Sequence, residues 1–468
     1  MVKSEHDSMA EAWQLLEKAI IRYHGRPVGT IAALDSGEVA LNYDQVFTRD
    51  FFVSAVAFLL HGKYEIVRNF LALTAELQTI DKSMDCFKAG RGLMPASFKV
   101  VVKDGEEELL ADFGEHAIGR VAPVDSSLWW LLLVRLYLKA SDDRDFVASD
   151  TIQHTIMAVL DLYLVGHFEL IPTLLVPDGA FMIDRRMGMY GHPLDIEVLF
   201  FAGLRSAREA LALLGSEENQ HYIKEIDHRL GHLIYHLRSY YWLDQERLSF
   251  LRSGKTEEFG ADAANKYNLY PENIPYWAAS WLNGGAGYFA GNIGPGRMDC
   301  RFLAMGNLLA ITSGLADADQ RDGIVRFFID QQSILMGRMP LKAYCPALEG
   351  EEWRLITGAD PKNSPWSYHN GGSWPFLLWL VAAVTAKTGT TLLTRQDVLS
   401  YAATLQAVDW PEYFDGRDGV LVGKEARKFQ VWTIAGILAA HELMKNPQKS
   451  SFLFFNDEIQ GDGCPLKV

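Results

Sequence analysis

The stretch Asp360–Pro375, DPKNSPWSYHNGGSWP, is followed directly by the apolar run FLLWLVAAVTAK (residues 376–387). Its density of proline and glycine excludes a regular helix or strand, so it is a shaped loop. The apolar run after it has the pattern of a buried helix. A polar loop therefore leads into a helix N-terminus, and the same order recurs along the chain.

Segments with helical periodicity alternate with Gly-, Pro- and Asp-rich connectors throughout the 468 residues. Helices are predicted at residues 7–23, 47–61, 64–78, 124–139, 150–165, 195–214, 218–240, 273–283, 299–314, 320–336, 373–388, 395–407 and 429–445. The only strand candidates are the short segments SFKVVV, ELLADF and LIPTLLV. Long polar connectors fall about every second helix, at residues 24–46, 79–123, 166–194, 243–272, 337–372 and 408–428.

This pattern predicts an all-α fold, the (α/α)6 barrel, in which six helical hairpins form a toroid and the long loops build the site at one rim. We expect one domain over residues 1–468, with an N-terminal helix and a short irregular C-terminal tail. An α-solenoid is the competing architecture, but no repeat of fixed period is evident.

Composition limits the possible partners. A formal net charge of −15 and the lack of a basic stripe argue against nucleic acid. No apolar run reaches the length of a membrane span, and the polar N-terminus MVKSEHDSMAEAWQ does not resemble a signal peptide. The scattered cysteines Cys86, Cys300, Cys345 and Cys464 predict free thiols in a reducing compartment, so the expected location is the cytoplasm.

The central loop carries the side chains that hold a polyol. Trp366, Tyr368, His369, Asn370 and Trp374 offer flat apolar faces for C–H surfaces together with amide and imidazole groups for hydroxyls. The same composition also suits a structural loop that caps the core.

Other connectors place acids beside aromatic and basic residues. In YDQVFTRD, Arg49 and Asp50 begin a predicted helix, and Asp125 precedes the pair Trp129–Trp130; either acid could instead cap its helix. Two adjacent tryptophans cannot face one core direction, so one of them is expected to face a cleft. Asp184 is followed by two arginines, which would lower its pKa unless they point elsewhere.

A glycosidase needs two carboxyl groups on opposite sides of a cleft. The connectors contain many acids, and residue patterns alone do not select a pair among Asp44, Asp50, Asp112, Glu115, Asp125, Asp178, Asp184, Asp195, Glu197, Glu352, Glu412 and Glu425. The dispersed histidines form no HxxxH or HxH cluster, so neither a metal nor another cofactor is predicted.

Long strings of this sequence resemble the alkaline/neutral invertases, which are glycoside hydrolases that cleave sucrose. The matching segments span residues 42–436 and include NYDQVFTRDF, GLMPASFKV, DGEEELLADFGEHAIGRVAPVDSSLWW, MIDRRMGMYGHPLDIEVLFFAGLR, GRMPLKAYCPALEGEEWRLITGADPKNSPWSYHNGGSWP, WPEYFDG and GKEARKFQVWTIAG. The resemblance implies an (α/α)6 barrel that hydrolyses the α-glucosidic bond of sucrose to glucose and fructose with inversion and without a metal. A homo-oligomer is also expected.

The family is similar to the trehalases, and that similarity implies the two catalytic residues. Glu412, in the string EYFD, matches the trehalase general base, and Asp184, followed by Arg185, matches the general acid. Asp195 fits that role less well, because the family is expected to have Glu there more often. The resemblance implies sugar contacts from Tyr43, Phe47, Arg49, Asp50, Asp125, Trp129, Arg186, Trp366, His369, Asn370, Trp374, Glu425, Arg427 and Gln430.

Three alternatives stay open. A trehalase-like or other α-glucoside hydrolase would use the same scaffold, and a non-catalytic sugar-binding toroid would keep the fold without the reaction. The retention of Asp184 and Glu412 argues against the non-catalytic alternative. A sugar epimerase would need a histidine-based proton relay, and no suitable histidine cluster is evident in the sequence.

Overall fold

The computed structural model describes residues 5–35, 42–80, 82–83, 88–116, 121–165, 171–253, 264–422 and 426–455. Its α-helices are α1 (Glu5–Lys18), α2 (Thr48–Leu60), α3 (Tyr64–Glu76), α4 (Val124–Ser141), α5 (Arg144–Val147), α6 (Asp150–Tyr163), α7 (Leu194–Leu211), α8 (Glu217–His236), α9 (Gln245–Ser253), α10 (Tyr276–Trp281), α11 (Ala304–Thr312), α12 (Ala318–Asp330), α13 (Gln332–Leu335), α14 (Gly350–Thr357), α15 (Leu378–Thr388), α16 (Arg395–Gln406) and α17 (Val431–Lys445).

Six of these helices form a closed inner ring. Helices α2, α4, α7, α11, α15 and α17 each pack against the next, and α17 returns to pack against α2. Helices α3, α6, α8, α12 and α16 each follow an inner helix in the chain, and α1 packs against α16 and α17 to complete the outer layer. The predicted all-α (α/α)6 barrel is therefore confirmed.

The inner position explains why these helices are apolar on nearly every face. In α15, every residue from Leu378 to Thr385 is buried, because neighbours in the ring and the barrel interior cover the helix all round. Helix α3, in the outer layer, buries the residues of only one side, and exposed polar residues occupy the other side.

Short strands lie in the connectors. They are β1 (Ile20–Tyr23), β2 (Arg26–Thr30), β3 (Val46–Phe47), β4 (Lys82–Ser83), β5 (Lys88–Ala89), β6 (Ser97–Lys103), β7 (Glu106–Asp112), β8 (Trp242–Leu243), β9 (Tyr288–Gly294), β10 (Arg297–Leu303) and β11 (Tyr344–Cys345). They pair antiparallel as β1-β2, β4-β5, β3-β6-β7 and β11-β10-β9-β8. The predicted strands SFKVVV and ELLADF correspond to β6 and β7.

Four sequence predictions of secondary structure were wrong in part. The helix predicted at 7–23 ends at Lys18, because the β-branched residues after it pair with β2. The helix predicted at 299–314 begins only at Ala304. The preceding residues form β10, which is buried on both faces and so lacks the alternation that marks a strand.

The other two errors concern shorter segments. The helix predicted at 273–283 covers only Tyr276–Trp281. In LIPTLLV, Leu170 lies outside the described residues, and of the rest only Val176 pairs, in an isolated bridge with Gly191.

Two further sequence predictions concern cysteines and membranes. Cys300 and Cys345 are buried free thiols as predicted, whereas Cys86 and Cys464 lie outside the described residues. None of the helices in the described part of the chain is both long and apolar enough to span a bilayer.

The end of the barrel at which the inner helices end is closed by the segment that follows α17. The guanidinium of Arg135 on α4 donates to the carbonyl oxygens of Phe452 (3.1 Å) and Phe454 (2.8 Å) and covers the ring of Phe455 at 3.6 Å. It also pairs with Glu209 at 2.8 Å, while Arg135 itself is only 3% exposed. One buried cation therefore links the inner helices α4 and α7 to this closing segment.

Replacing Arg135 should weaken the fold, since Arg135→Met leaves two buried carbonyl groups without their donor and leaves Glu209 with Lys139 as its remaining cationic partner. We expect the free energy of unfolding in urea to fall by about 2–4 kcal/mol. The matched control is Arg144→Met, because Arg144 is 71% exposed and pairs with surface Asp142; that change should stay within about 0.5 kcal/mol. Equal effects of the two variants would contradict the assigned role of Arg135.

Candidate active site

A cleft of about 670 Å³, open to solvent, lies at the end of the barrel where the inner helices begin. The connectors before α2, α7, α15 and α17 supply most of the lining, and the first turns of α2 and α17 complete it. The lining residues are Ala32, Asn42, Tyr43, Phe47, Arg49, Asp50, Met182, Asp184, Tyr368, His369, Trp374, Glu412, Gln430 and Trp432.

Glu412 lies on one wall of this cleft and is 4% exposed. Its backbone N–H donates to the carbonyl oxygen of Arg427 at 2.8 Å, which fixes the connector that carries it. The hydroxyl of Tyr43 donates to the carboxylate, 3.2 Å from Oε1 and 3.5 Å from Oε2. Burial raises the pKa of Glu412 to about 7, and nearby Asp184 adds to the increase, against the opposing effect of Lys362.

Asp184 lies in the connector before α7, with a quarter of its side chain exposed. The hydroxyl of Tyr368 donates to it, 3.2 Å from Oδ1 and 3.5 Å from Oδ2, and His369 Nδ1 lies 3.6 Å from Oδ1. Burial raises its pKa although Arg49 and Lys362 oppose the increase. Both residues proposed for catalysis therefore favour the protonated form more than a carboxyl group in water does.

In the described part of the chain, neither of the arginines that follow Asp184 forms an ion pair with it, although the charge of Arg185 slightly opposes the rise of its pKa. Arg185 pairs with Asp360 at 3.2 Å, and Arg186 is exposed on the surface and does not line the cleft. Asp195 and Glu197, which the structure places in the first turn of α7, are buried and accept hydrogen bonds from the backbone N–H groups of Gly306 (2.8 Å) and Leu174 (3.1 Å).

Arg49 and Asp50 begin α2, and both line the cleft. Arg49 Nε donates to Asp125 Oδ2 at 2.6 Å, so Asp125, only 1% exposed, lies behind Arg49 and not in the cleft lining. Neither acid caps its helix, since no side-chain cap occurs at the start of α2 or α4. Burial raises the pKa of Asp50 to about 7 despite the opposing charge of Arg49.

The central loop is held rigidly at the rim. Tyr368 and His369 stack with ring centroids 3.9 Å apart, and Trp374 stacks on Tyr413 at 5.4 Å. Ser373 and Phe414 exchange backbone hydrogen bonds of 2.9 Å, which join the loop to the connector that carries Glu412. A Cβ at Gly416 would lie 1.8 Å from the carbonyl oxygen of Gly371, so this close approach requires glycine.

Nine of the predicted site residues line the cleft together: Tyr43, Phe47, Arg49, Asp50, Asp184, His369, Trp374, Glu412 and Gln430. Others do not reach it. Asn370 is fully buried and holds Leu348 through hydrogen bonds of 2.6 and 3.0 Å, which is the structural role that the sequence left open. Trp366 stands at the rim, where its indole N–H donates to Glu349 at 2.7 Å.

The prediction that Trp129 or Trp130 faces the cleft was wrong. Trp129 is 3% exposed and packs on Phe52, while Trp130 is fully buried and its indole donates to Thr74 at 2.9 Å. Neighbouring helices cover α4 on all sides, so two core directions are available. Arg427 places its guanidinium 5.1 Å from the ring centre of Tyr43, and Glu425 lies outside the described residues.

Several residues that line the cleft were not predicted as site residues from the sequence. Tyr368 stands in the central loop and already belonged to its polyol-binding composition, so a signal was available in the sequence. Trp432 lies in the apolar first turn of α17 and stacks on Phe376 with ring centroids 4.1 Å apart. Nothing in the sequence marked Trp432, Met182, Asn42 or Ala32 as a residue of the cleft. Across the residues that the structure describes, no three His, Cys, Asp or Glu side chains are grouped to hold a metal ion.

Solved glycosidases of low sequence identity have similar folds. The chain matches a bacterial glucoamylase complexed with acarbose at TM-score 0.53 and 11% identity, over 96% of this chain and 56% of that one. It matches the GH63 mannosylglycerate hydrolase of Thermus thermophilus, in complex with Tris and D-glycerate, at TM-score 0.54 and 11% identity, over 93% and 99% of the two chains. These likenesses concern the fold.

Sequence relatives are much closer. Alkaline/neutral invertase C, mitochondrial, of Arabidopsis thaliana is 47% identical over 98% of this chain and 70% of its own length. Cytosolic invertase 1 of Oryza sativa subsp. japonica is 46% identical over 97% of this chain and 81% of its own. The profile of the family described as alkaline and neutral invertase matches residues 12–447. With its fold and its carboxyl-lined cleft, the chain belongs to the alkaline and neutral invertase family of glycoside hydrolases.

Proposed function

We propose that this protein hydrolyses sucrose to glucose and fructose by cleaving the α-glucosidic bond with inversion. The observation that supports this proposal is the pair Asp184 and Glu412. Both are carboxyl groups of raised pKa that line one cleft, and each accepts a hydrogen bond from a separate tyrosine. Two such groups are what an inverting glycosidase needs.

Asp184 is the proposed general acid. Tyr368 and His369 both approach its Oδ1 more closely, which leaves Oδ2 to carry the proton that passes to the glycosidic oxygen. As that oxygen gains the proton, its bond to glucosyl C1 breaks and fructose leaves as a neutral alcohol. The raised pKa of Asp184 favours the protonated form before the reaction.

Glu412 is the proposed general base. Tyr43 approaches Oε1 more closely than Oε2, so Oε2 is the oxygen that accepts a proton from water. The water oxygen attacks C1 from the side opposite the departing fructose, and the product is β-glucose. A pKa near 7 makes Glu412 a stronger base than an ordinary carboxylate once it is ionised.

The other lining residues are proposed to bind the sugar. Arg49, Asp50 and Gln430 offer hydrogen-bonding groups, while Phe47 and Trp374 offer flat apolar faces. His369 lines the cleft with its pKa held well below the usual value by burial and by the nearby cation Lys362, so its ring is neutral and binds rather than transfers protons.

Two further proposals concern the cellular location and the oligomeric state of the protein. The buried free thiols of Cys300 and Cys345 support a reducing compartment, and the cytoplasm is the proposed location. A homo-oligomer is the proposed assembly, which light scattering of the purified protein would test.

Removing either proposed catalytic carboxyl should abolish most of the reaction. Asp184→Asn and Glu412→Gln are each expected to lower kcat on sucrose by about 10²–10⁴-fold, because each removes one proton transfer. Circular dichroism should show that both variants keep the fold.

NMR of the first product formed by the unmodified protein tests the stereochemistry. β-Glucose is expected before mutarotation, and α-glucose as the first anomer would contradict inversion.

Asp195→Asn is a control for the assignment of Asp184 as the general acid, since Asp195 is buried and does not line the cleft.

Substrate choice tests sucrose against the alternative α-glucosides. We expect kcat/KM for sucrose to exceed the values for trehalose and maltose in parallel assays. A preference for trehalose would support the trehalase-like alternative, and hydrolysis of none of the three would support a non-catalytic sugar-binding protein.

The buried carboxylate should also lower stability at alkaline pH. The pKa of folded Glu412 is about 7 against an ordinary value of 4.5, so its unfavourable effect appears as pH rises through that interval. Glu412→Gln should therefore raise the free energy of unfolding at pH 8 by about 1–3 kcal/mol, with little gain at pH 5.

Urea unfolding at both pH values measures this effect. The control is Glu65→Gln, which changes an exposed residue of α3 and should alter stability by less than about 0.5 kcal/mol at either pH. An equal gain at pH 5 and pH 8 would show that the charge of Glu412 is not its cause.

A further inference from the structure

The two proposed catalytic carboxyl groups have matching surroundings. Each accepts a hydrogen bond from one tyrosine hydroxyl, at 3.2 Å to the nearer oxygen and 3.5 Å to the farther one. Tyr43, in the connector before α2, donates to Glu412, and Tyr368, in the central loop, donates to Asp184. The two tyrosines are distant in sequence, so the likeness does not follow from a shared motif.

Each of these tyrosines also carries a cation on its ring. The ammonium of Lys362 lies 4.0 Å from the ring centre of Tyr368, and the guanidinium of Arg427 lies 5.1 Å from that of Tyr43. Both distances are within the range of a cation–π interaction. Within the described part of the chain, neither Lys362 nor Arg427 forms an ion pair, so the aromatic ring is the contact that places each charge.

We propose that Lys362 and Arg427 are positioning residues, each of which acts through a tyrosine to orient and polarise the hydroxyl that donates to a catalytic carboxyl group. The chain of contacts is Lys362–Tyr368–Asp184 on the acid side and Arg427–Tyr43–Glu412 on the base side. A cation on the ring face withdraws electron density from the hydroxyl and makes it a stronger donor. This inference rests on the function proposed above.

The tyrosines keep their protons under all conditions relevant to activity. Burial raises the pKa of Tyr43 above its usual range, and the nearby carboxylates Glu412, Asp184 and Asp50 raise it further. Burial and Asp184 have the same effect on the pKa of Tyr368. Both hydroxyls are therefore donors, and a stronger donor stabilises the ionised form of its carboxyl group.

Other charged groups also face the two carboxyl groups and contribute to their pKa values. Around Asp184 these are Arg49 and Asp50 from α2, Arg185 from its own connector and His369 from the central loop, and Asp50 and Asp184 in turn face Glu412. Lys362 also lowers the pKa of Glu412, whereas Arg427 acts on Glu412 and is not among the main influences on Asp184. The two cations should therefore have distinguishable effects.

The test is the pH dependence of kcat/KM for sucrose, which reports the ionisation of groups in the free enzyme. Lys362→Met should move both the acid and the alkaline limb to higher pH, because the pKa values of Glu412 and Asp184 both rise. Arg427→Met should move only the acid limb. Shifts of about 0.5–1 pH unit are expected for partly exposed cations.

Charge-preserving variants and a matched control separate this role from a general loss of structure. Lys362→Arg and Arg427→Lys should restore the unmodified profile. Arg417→Met removes another cation at the same rim, one that lies 5.5 Å from the ring centre of Trp366, and should leave both limbs in place. Equal limb shifts in Arg417→Met would overturn the proposal.

A double-mutant comparison tests whether the charge acts through the tyrosine. In a Tyr43→Phe background, Arg427→Met should shift the acid limb less than it does in the unmodified protein; the same holds for Lys362→Met and the alkaline limb in Tyr368→Phe. Undiminished shifts would show action through space and overturn the proposal.

The same measurements distinguish a failure of this inference from a failure of the proposed function. Loss of activity in Asp184→Asn and Glu412→Gln, together with unmoved limbs in both cation variants, would overturn this inference alone. Full activity of either carboxyl variant would overturn the proposed function itself.

Discussion

The burial of several carboxyl groups around one cleft is the constraint on which the site depends. Asp50, Asp184 and Glu412 line it, and burial raises the pKa of each. The protein holds Asp184 and Glu412 with tyrosine hydroxyls in place of direct pairs with lysine or arginine. A neutral hydroxyl stabilises a carboxylate less than a paired cation does, which keeps its protonation reversible near neutral pH.

The ring of inner helices makes this burial possible. Because all six begin at the same end of the barrel, connectors that are far apart in sequence converge there. The first turns of α2 and α17 also bring partial positive charge to the cleft, since helix N-termini carry unpaired N–H groups. The opposite end has no such role and is closed by the segment that Arg135 fastens.

The central loop accepts backbone strain in order to place its side chains. Trp366 and Tyr368 have φ values of 67° and 48°, a left-handed conformation that costs about 1–2 kcal/mol for residues other than glycine. Backbone pairing of Ser373 with Phe414 and the close contact of Gly416 with Gly371 hold that conformation. The Tyr368 hydroxyl thus reaches Asp184 from a fixed backbone.

The sequence by itself determined the architecture, because it depends on local patterns. Apolar helices recur between long polar connectors, and that alternation predicted the barrel and the rim that carries the site. The pattern fails where burial hides periodicity: the residues of β10 are covered on both faces, so they lack the alternation of a strand and instead resemble the start of the helix that follows. The resemblance to a known family then selected Asp184 and Glu412 from a dozen acids that the pattern could not rank.

Only the tertiary structure decided which candidates meet in the cleft. Asp125 pairs with Arg49 behind the wall, Trp129 is covered by its neighbours, and Arg186 points to solvent. The same holds for the tyrosines on the two carboxyl groups, since Tyr43 and Glu412 are 369 residues apart. Burial, ion pairing and the direction of a side chain depend on neighbours from distant parts of the chain, and no local pattern contains them.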